Sequence, residues 1–181
     1  MSMTTNKKEE EEKGGIISVE GQNNEAIYLY SILPEAFISE HGLLNVSVVG
    51  KFMDNETDKD DNLIVDSFEA NPEFVHLLHE LLGNLGKRSP ALITQATRQQ
   101  EGSWVYIIDQ RVTDTSAAIA PKDIIGGFKV ENRKLGEYAG NPGHVLLTKK
   151  GIFQIGLELK TELINFIKSQ YTPKEEKPTS H

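Results

Sequence analysis

The strongest fold signal in the chain is Trp104-Val-Tyr-Ile-Ile-Asp109, a continuous apolar run that ends at an acid. Its length and its content of β-branched and aromatic residues are typical of a β-strand. A run without alternating polar residues normally lies in a sheet that is covered on both faces, so we expect this arrangement here. The elements on either side of the strand indicate the fold class.

Two helices are predicted before this strand. Each has a capping residue followed by proline, at residues 71–72 and 89–90, and apolar residues then recur at helical spacing. Gly83 is expected to end the first helix. Farther upstream, residues 26–33 and 43–53 are predicted to be strands, and the acidic segment after them a loop.

More strands and a closing helix are predicted after residue 109. Residues 124–130 are apolar with two adjacent glycines, Tyr138 lies on a short extended piece, and residues 144–155 can form a hairpin. Leucine and isoleucine then fall at helical spacing over residues 157–167. Because strands and helices are clustered apart, the sequence predicts an α+β domain, a mostly antiparallel sheet with about three helices packed on it.

The chain is expected to form one folded unit. A length of 181 residues is enough for a single domain whose core needs no disulfide or metal. Residues 1–15 and 172–181 are polar, with charge runs or prolines, and are predicted to be disordered tails. The predicted domain is therefore residues 16–171.

Composition excludes several classes of protein. The chain has no cysteine, which rules out disulfides, thiolate metal sites and thiol nucleophiles. No export signal is recognised, and no apolar run approaches the roughly 18 residues that a membrane helix needs. We therefore expect a soluble cytoplasmic protein that is not held in a membrane.

The charge pattern favours a protein partner. The net charge of −8 makes nucleic-acid binding unfavourable, and residues 54–69 carry seven acids against Lys59, a local net charge of −6. We expect Asp58, Asp60 and Asp61 to attract another protein, with a basic partner favoured. Neutralisation of a basic toxin in an immunity role would fit, and self-association through a sheet edge or a helix face is a further option.

The same acidic residues partly match a twelve-residue calcium loop. Oxygen donors stand at the first, third, fifth, ninth and twelfth positions, which are Asp58, Asp60, Asn62, Asp66 and Glu69. Leu63 replaces the glycine that makes the sharp bend, and a predicted strand rather than a helix enters the loop. Calcium binding is therefore an alternative hypothesis, and a solvated acidic loop is the simpler interpretation.

His144 is the first candidate for catalysis. It follows the turn at residues 141–143, and Arg111, Tyr138 and Asp109 lie on segments that could converge on it. A base, an acid and a cation suffice in principle for metal-independent phosphodiester cleavage, so the alternative function is a nuclease or related hydrolase. The competing interpretation is structural, with His144 capping a strand.

His76 and His79 lie three residues apart on the first predicted helix and could share a metal. The apolar stripe of this helix predicts that both are exposed instead. No nucleophile elbow, phosphate loop or dinucleotide fingerprint occurs, so no cofactor is expected. The leading hypothesis from sequence is thus a non-enzymatic protein-binding domain.

Overall fold

The computed structural model describes residues 13–60 and 62–171. Asp61 and nearly all of the two predicted tails, 1–15 and 172–181, lie outside the described residues. One part of the N-terminal prediction is corrected, because Gly15 already belongs to the first strand.

The first sheet is antiparallel and follows the order of the chain. Its strands are β1 (Gly15–Glu20), β2 (Ala26–Ser31), β3 (Val48–Phe52) and β4 (Phe68–Ala70). A short helix, α1 (Glu35–His41), stands between β2 and β3. The acidic segment, residues 54–69, connects β3 to β4 and supplies most of that short last strand.

The two predicted central helices form where their caps indicate. Helix α2 (Pro72–Leu85) begins after Asn71, whose side-chain oxygen accepts a hydrogen bond from the amide of Glu73 at 3.1 Å. Helix α3 (Pro90–Arg98) begins after Ser89, whose side-chain oxygen accepts a hydrogen bond from the backbone amide of Leu92. Gly83 does not end α2, which continues for two more residues. The side-chain amide of Asn71 also donates to the backbone carbonyl of Val48 at 2.8 Å, which fixes the start of α2 to the first sheet.

The second sheet is antiparallel and contains β5 (Trp104–Ile108), β6 (Ile124–Glu131) and β7 (Lys134–Gly140). Helices α2 and α3 both contact it. Along β5, Val105 and Ile107 are buried, whereas Trp104 and Tyr106 are exposed. The expectation that this strand is covered on both faces is therefore wrong, because the helices cover one face only.

A small two-stranded sheet, β8 (Leu147–Thr148) and β9 (Gly151–Ile152), precedes the last helix, α4 (Leu157–Ser169). One cluster of buried side chains joins the first sheet, α2, α3, the second sheet and α4. Its largest fully buried members are Phe74, Phe128, Leu33, Leu78, Leu82, Ile125, Leu163 and Ile167.

The predicted α+β class is confirmed. Within residues 13–60 and 62–171 the structure has four α-helices and three antiparallel sheets. The extra helix is α1, whose residues were not predicted as a separate element. None of the helices in this part of the chain has the length and apolar character that crossing a membrane requires.

Candidate functional site

A buried carboxylate lies at the centre of the candidate site. The side chain of Asp109, directly after β5, is fully buried, and its Oδ2 accepts hydrogen bonds from Arg111 Nη2 at 2.7 Å and from His144 Nε2 at 2.8 Å. Its Oδ1 accepts from the backbone amides of Arg111 at 3.0 Å and Gln154 at 3.1 Å. We call Asp109, Arg111 and His144 the Asp109 cluster.

Asp109 stays ionised in this environment. Burial acts to raise the pKa of the carboxyl group, but the hydrogen bonds from His144 and Arg111 outweigh it and lower the pKa to about 2. The carboxylate therefore balances the charge of a guanidinium that is almost as deeply buried, with 2% of the Arg111 side chain exposed.

Arg111 fastens the turn that carries His144. Its guanidinium donates to the backbone carbonyls of Val145, Leu146 and Gly151 and to Oγ1 of Thr148. These contacts and Asp109 occupy both terminal nitrogens. Arg111 therefore holds the residues around β8 in place, and its terminal nitrogens are already committed to protein atoms.

His144 is fixed in orientation by the cluster. Its side chain is 3% exposed, and its ring meets Phe153 edge to face with 6.2 Å between centroids. Because Asp109 is a carboxylate, the Nε2 atom that faces it carries the proton of the imidazole. The Nδ1 atom has no hydrogen bond to any described residue, so a neutral His144 presents there a free lone pair.

The second histidine of the site is His79, on α2. Its Nδ1 lies 2.8 Å from the hydroxyl of Tyr138 on β7. A methyl group at Gly140 would stand 2.8 Å from the same Nδ1, so the ring is packed tightly against β7. His79 is therefore half-buried, and the expectation that it is exposed is wrong, whereas His76 is exposed as predicted.

The tautomer of His79 follows from its partner. Burial raises the pKa of Tyr138, so the phenol keeps its proton, and within the described part of the chain this hydroxyl hydrogen-bonds to His79 alone. Since a buried O–H needs an acceptor, we infer that the phenol donates to Nδ1 and that Nε2 of His79 carries the ring proton. Burial, and secondarily the charge of a protonated His144, lowers the pKa of His79, which favours the neutral ring.

Both histidines line one groove, with a volume of about 810 Å³. We call it the histidine groove. Its other walls are mainly apolar, and Asp66 from the acidic segment also lines it. The apolar lining residues include Val65, Phe68, Val75, Leu78, Leu146 and Leu147.

Three residues were predicted for catalysis. Two of them, His144 and Arg111, both hydrogen-bond to Oδ2 of Asp109, which lies between them. Tyr138 instead contacts His79. The contact between His79 and Tyr138 could not be predicted, because the two residues are 59 positions apart in the chain. Asp109 was expected from the sequence to lie on a segment that could converge on His144, and the two side chains are in hydrogen-bond contact.

The turn at residues 58–60 of the acidic segment is exposed and does not line the histidine groove. Oδ1 of Asp58 accepts from the backbone amides of Asp60 at 2.8 Å and Asn62 at 3.0 Å. Both hydrogen bonds lower the pKa of the Asp58 carboxyl group, and the one from Asn62 has the larger effect. Asp58 and Asp60, two of the predicted partner-binding acids, are thus exposed at the tip of a turn, and Asp61, the third, lies outside the described residues.

The candidate calcium ligands are spread over this segment. Asp58, Asp60 and Asn62 lie at the turn, Asp66 faces the histidine groove, and Glu69 is on β4. Strand β3 precedes the segment and β4 ends it, where a calcium-binding helix–loop–helix would have helices. Among the described residues, no three histidine or acidic side chains are arranged to hold a metal.

Comparison of the chain with protein family models, with curated proteins and with solved structures found no match.

Proposed function

We propose that the protein is a metal-independent hydrolase that works by acid–base chemistry in the histidine groove. One observation carries this proposal. Two imidazoles line the same groove, and each has one ring nitrogen held by a side-chain partner, the buried Asp109 for His144 and the half-buried Tyr138 for His79. Fixed rings with opposite free functions, a lone pair and an N–H, are what acid–base catalysis needs.

His144 is the general base in this proposal. Its Nδ1 takes a proton from a water molecule as the water oxygen attacks the substrate, and Asp109 stabilises the imidazolium that forms. The same nitrogen then returns the proton to the leaving group. Proton balance is thereby complete, and the lining residues within the described part of the chain include no serine or threonine to act as a nucleophile.

His79 is the hydrogen-bond donor in this proposal. A neutral imidazole whose Nε2 carries the proton can donate to an oxygen that becomes negative during the attack. Tyr138 holds the ring in that tautomer. The lowered pKa of His79 supports this role, because a neutral His79 does not add a second positive charge beside the imidazolium of His144.

Acyl substrates are favoured over phosphodiesters. The nuclease form of the hypothesis needs a cation near the reacting phosphate, and Arg111 is committed to Asp109 and to the carbonyls around β8. Neither an arginine nor a lysine is among the described residues that line the groove.

The test measures hydrolysis of 4-nitrophenyl acetate, leucine 4-nitroanilide and bis(4-nitrophenyl) phosphate. His144→Ala should lower the rate on the acyl substrate that is turned over by at least about a hundredfold, the usual contribution of a general base. His76→Ala is the matched control, since it removes an exposed imidazole from the same helix as His79. Absence of turnover, or equal rates in His144→Ala and His76→Ala proteins of equal thermal midpoint, would contradict the proposal.

Protein binding through the acidic segment is a second candidate function. The exposure of Asp58 and Asp60 favours it, because exposed charges can steer a basic partner and raise its association rate. Replacing Asp58, Asp60 and Asp61 by asparagine should reduce the capture of basic proteins from the source lysate at low salt. Unchanged capture would remove the steering argument.

A further inference from the structure

The charge of the histidine groove is one-sided. Asp66 lines it, and no lysine or arginine does so among the residues that the structure describes. Asp66 is exposed and belongs to the acidic segment, whose local net charge is −6. When the histidines are neutral, the described side chains that line the groove therefore carry a net negative charge, which comes from Asp66.

This charge disfavours acidic ligands. A phosphate or carboxylate in the groove would lie near the carboxylate of Asp66, which has no salt bridge to a described residue, and the buried guanidinium of Arg111 already has Asp109 as its counterion. Desolvating an anion there without a cation would be unfavourable. A positively charged group, in contrast, gains from Asp66 and from the acidic segment.

The walls of the groove set a second requirement. Most lining side chains are aliphatic or aromatic, and examples are Phe68, Val75, Leu78 and Leu147. Such walls favour a ligand with an apolar body, and a small number of polar groups then fix its orientation.

We propose that the ligand of the histidine groove is an amine-bearing small molecule with an apolar body, whose cationic end pairs with Asp66. This inference rests on the proposed function in that it names the substrate class of the same site. The binding preference itself requires no turnover.

The test compares two probes with similar apolar bodies and opposite charges, 4-phenylbutylamine and 4-phenylbutyrate. Binding is followed from the backbone amide NMR signals of Asp66, Val145 and Leu147 and from the ring signals of His79 and His144. The amine should bind in a saturable way and roughly tenfold more tightly than the acid, since one exposed ion pair contributes up to about fivefold and repulsion of the acid adds to the difference.

Asp66→Asn should remove most of this preference, whereas Asp114→Asn, which removes an exposed carboxylate outside the groove, should leave it intact. Equal binding of both probes, no change at the groove signals with the amine, or an equal preference in the Asp66→Asn and Asp114→Asn proteins would overturn the inference.

Failure of the proposed function gives a different result. If the amine is preferred but no substrate is hydrolysed in a way that depends on His144, the hydrolase proposal falls and the ligand class stands. If hydrolysis depends on His144 but the probes bind equally, the ligand class alone falls.

Discussion

Asp109 and Asp58 form the same local motif in two different environments. Each carboxylate accepts a hydrogen bond from the backbone amide two residues further along, at 3.0 Å for Arg111 and 2.8 Å for Asp60. Asp58 is exposed and its contacts stay within its own turn, whereas Asp109 is fully buried and also binds His144 and Gln154. Burial thus makes a turn-forming acid into a link between distant parts of the chain.

The comparison also explains why only one of the two regions is a candidate for catalysis. At Asp109 the charges are desolvated, and the hydrogen bond from Nε2 fixes the orientation of the His144 ring, which lines the groove. At Asp58 water surrounds the carboxylate, and neighbouring charges are screened by salt. The following predictions test this contrast, from the largest expected effect to the smallest.

Asp109→Asn should cause the largest loss of stability. The substitution leaves the buried guanidinium of Arg111 without a counterion, which typically costs about 3–5 kcal/mol in the free energy of unfolding. Urea denaturation measures this loss. Asp114→Asn is the control, because Asp114 also accepts hydrogen bonds within a local turn but is exposed. Equal stability of the two variants would mean that burial does not distinguish the motifs.

Acid should remove part of the same stabilisation. The pKa of Asp109 is lowered from 3.8 to about 2 on folding, so its contribution is present above the unfolded pKa and is lost as the pH falls from about 4 to about 2. The lowered pKa of Asp109 corresponds to a contribution of about 2 kcal/mol to the free energy of unfolding. The free energy of unfolding, measured against pH, should fall in this range for the wild type and fall less for Asp109→Asn. Parallel curves would contradict the assignment.

Gly140→Ala should disturb the second histidine. The added methyl group would lie 2.8 Å from Nδ1 of His79, so the ring must move away from Tyr138. Forced repacking of this kind costs about 1–3 kcal/mol, which a thermal melt detects. Gly15→Ala is the control, since nothing lies within 4 Å of its added carbon. An unchanged NMR signal of the His79 ring in Gly140→Ala would contradict the close contact between this ring and residue 140.

Tyr138→Phe should have a smaller effect and should act on protonation. It removes the donor to Nδ1 of His79, and leaving that atom without a partner costs about 1 kcal/mol. The hydrogen bond favours the neutral ring, so its loss should raise the pKa of His79, as measured by NMR titration. Tyr106→Phe removes an exposed hydroxyl from the same sheet and should leave this pKa unchanged.

The acidic segment should give the smallest effects. Asp60→Asn is expected to leave the thermal midpoint nearly unchanged, because the carboxylate is exposed. Millimolar calcium should likewise produce no shift, since a ligand raises the midpoint only if it binds the native state. A clear calcium-dependent rise that Asp58→Asn removes would restore the calcium hypothesis.

Local features of the fold could be predicted from sequence, and contacts between distant residues could not. The caps at Asn71 and Ser89 act within a few residues, so their helices were predicted at the correct starts. The exposed face of β5 was missed, because an apolar run does not tell which side a helix covers. Tyr106 accordingly lies on an open face of the sheet.

The candidate site shows the same limit. His144 was predicted as a residue to test, and Arg111 does belong to its surroundings. The acceptor that joins them, Asp109, lies 35 positions from His144, and no periodicity or spacing specifies such a contact. His79 lies on a helix whose apolar stripe predicted exposure, and only the packing of Gly140 and Tyr138 against the ring decides otherwise.

The hydrogen bonds around Asp109 have one more consequence, for the covalent continuity of the chain. The backbone amide of Gln110 donates to the backbone carbonyl of Gln154 at 2.9 Å, and the backbone amide of Gln154 donates to the carboxylate of Asp109. The connection from β5 to β6 leaves and rejoins the second sheet at one place, because the backbone amide of Asp109 donates to the carbonyl of Asp123 at 2.8 Å, and residues 113–118 of this connection are exposed. If a protease cuts the chain within residues 113–118, hydrogen bonds and core packing still hold the two fragments together. The cleaved molecule should therefore remain assembled until a denaturant is added.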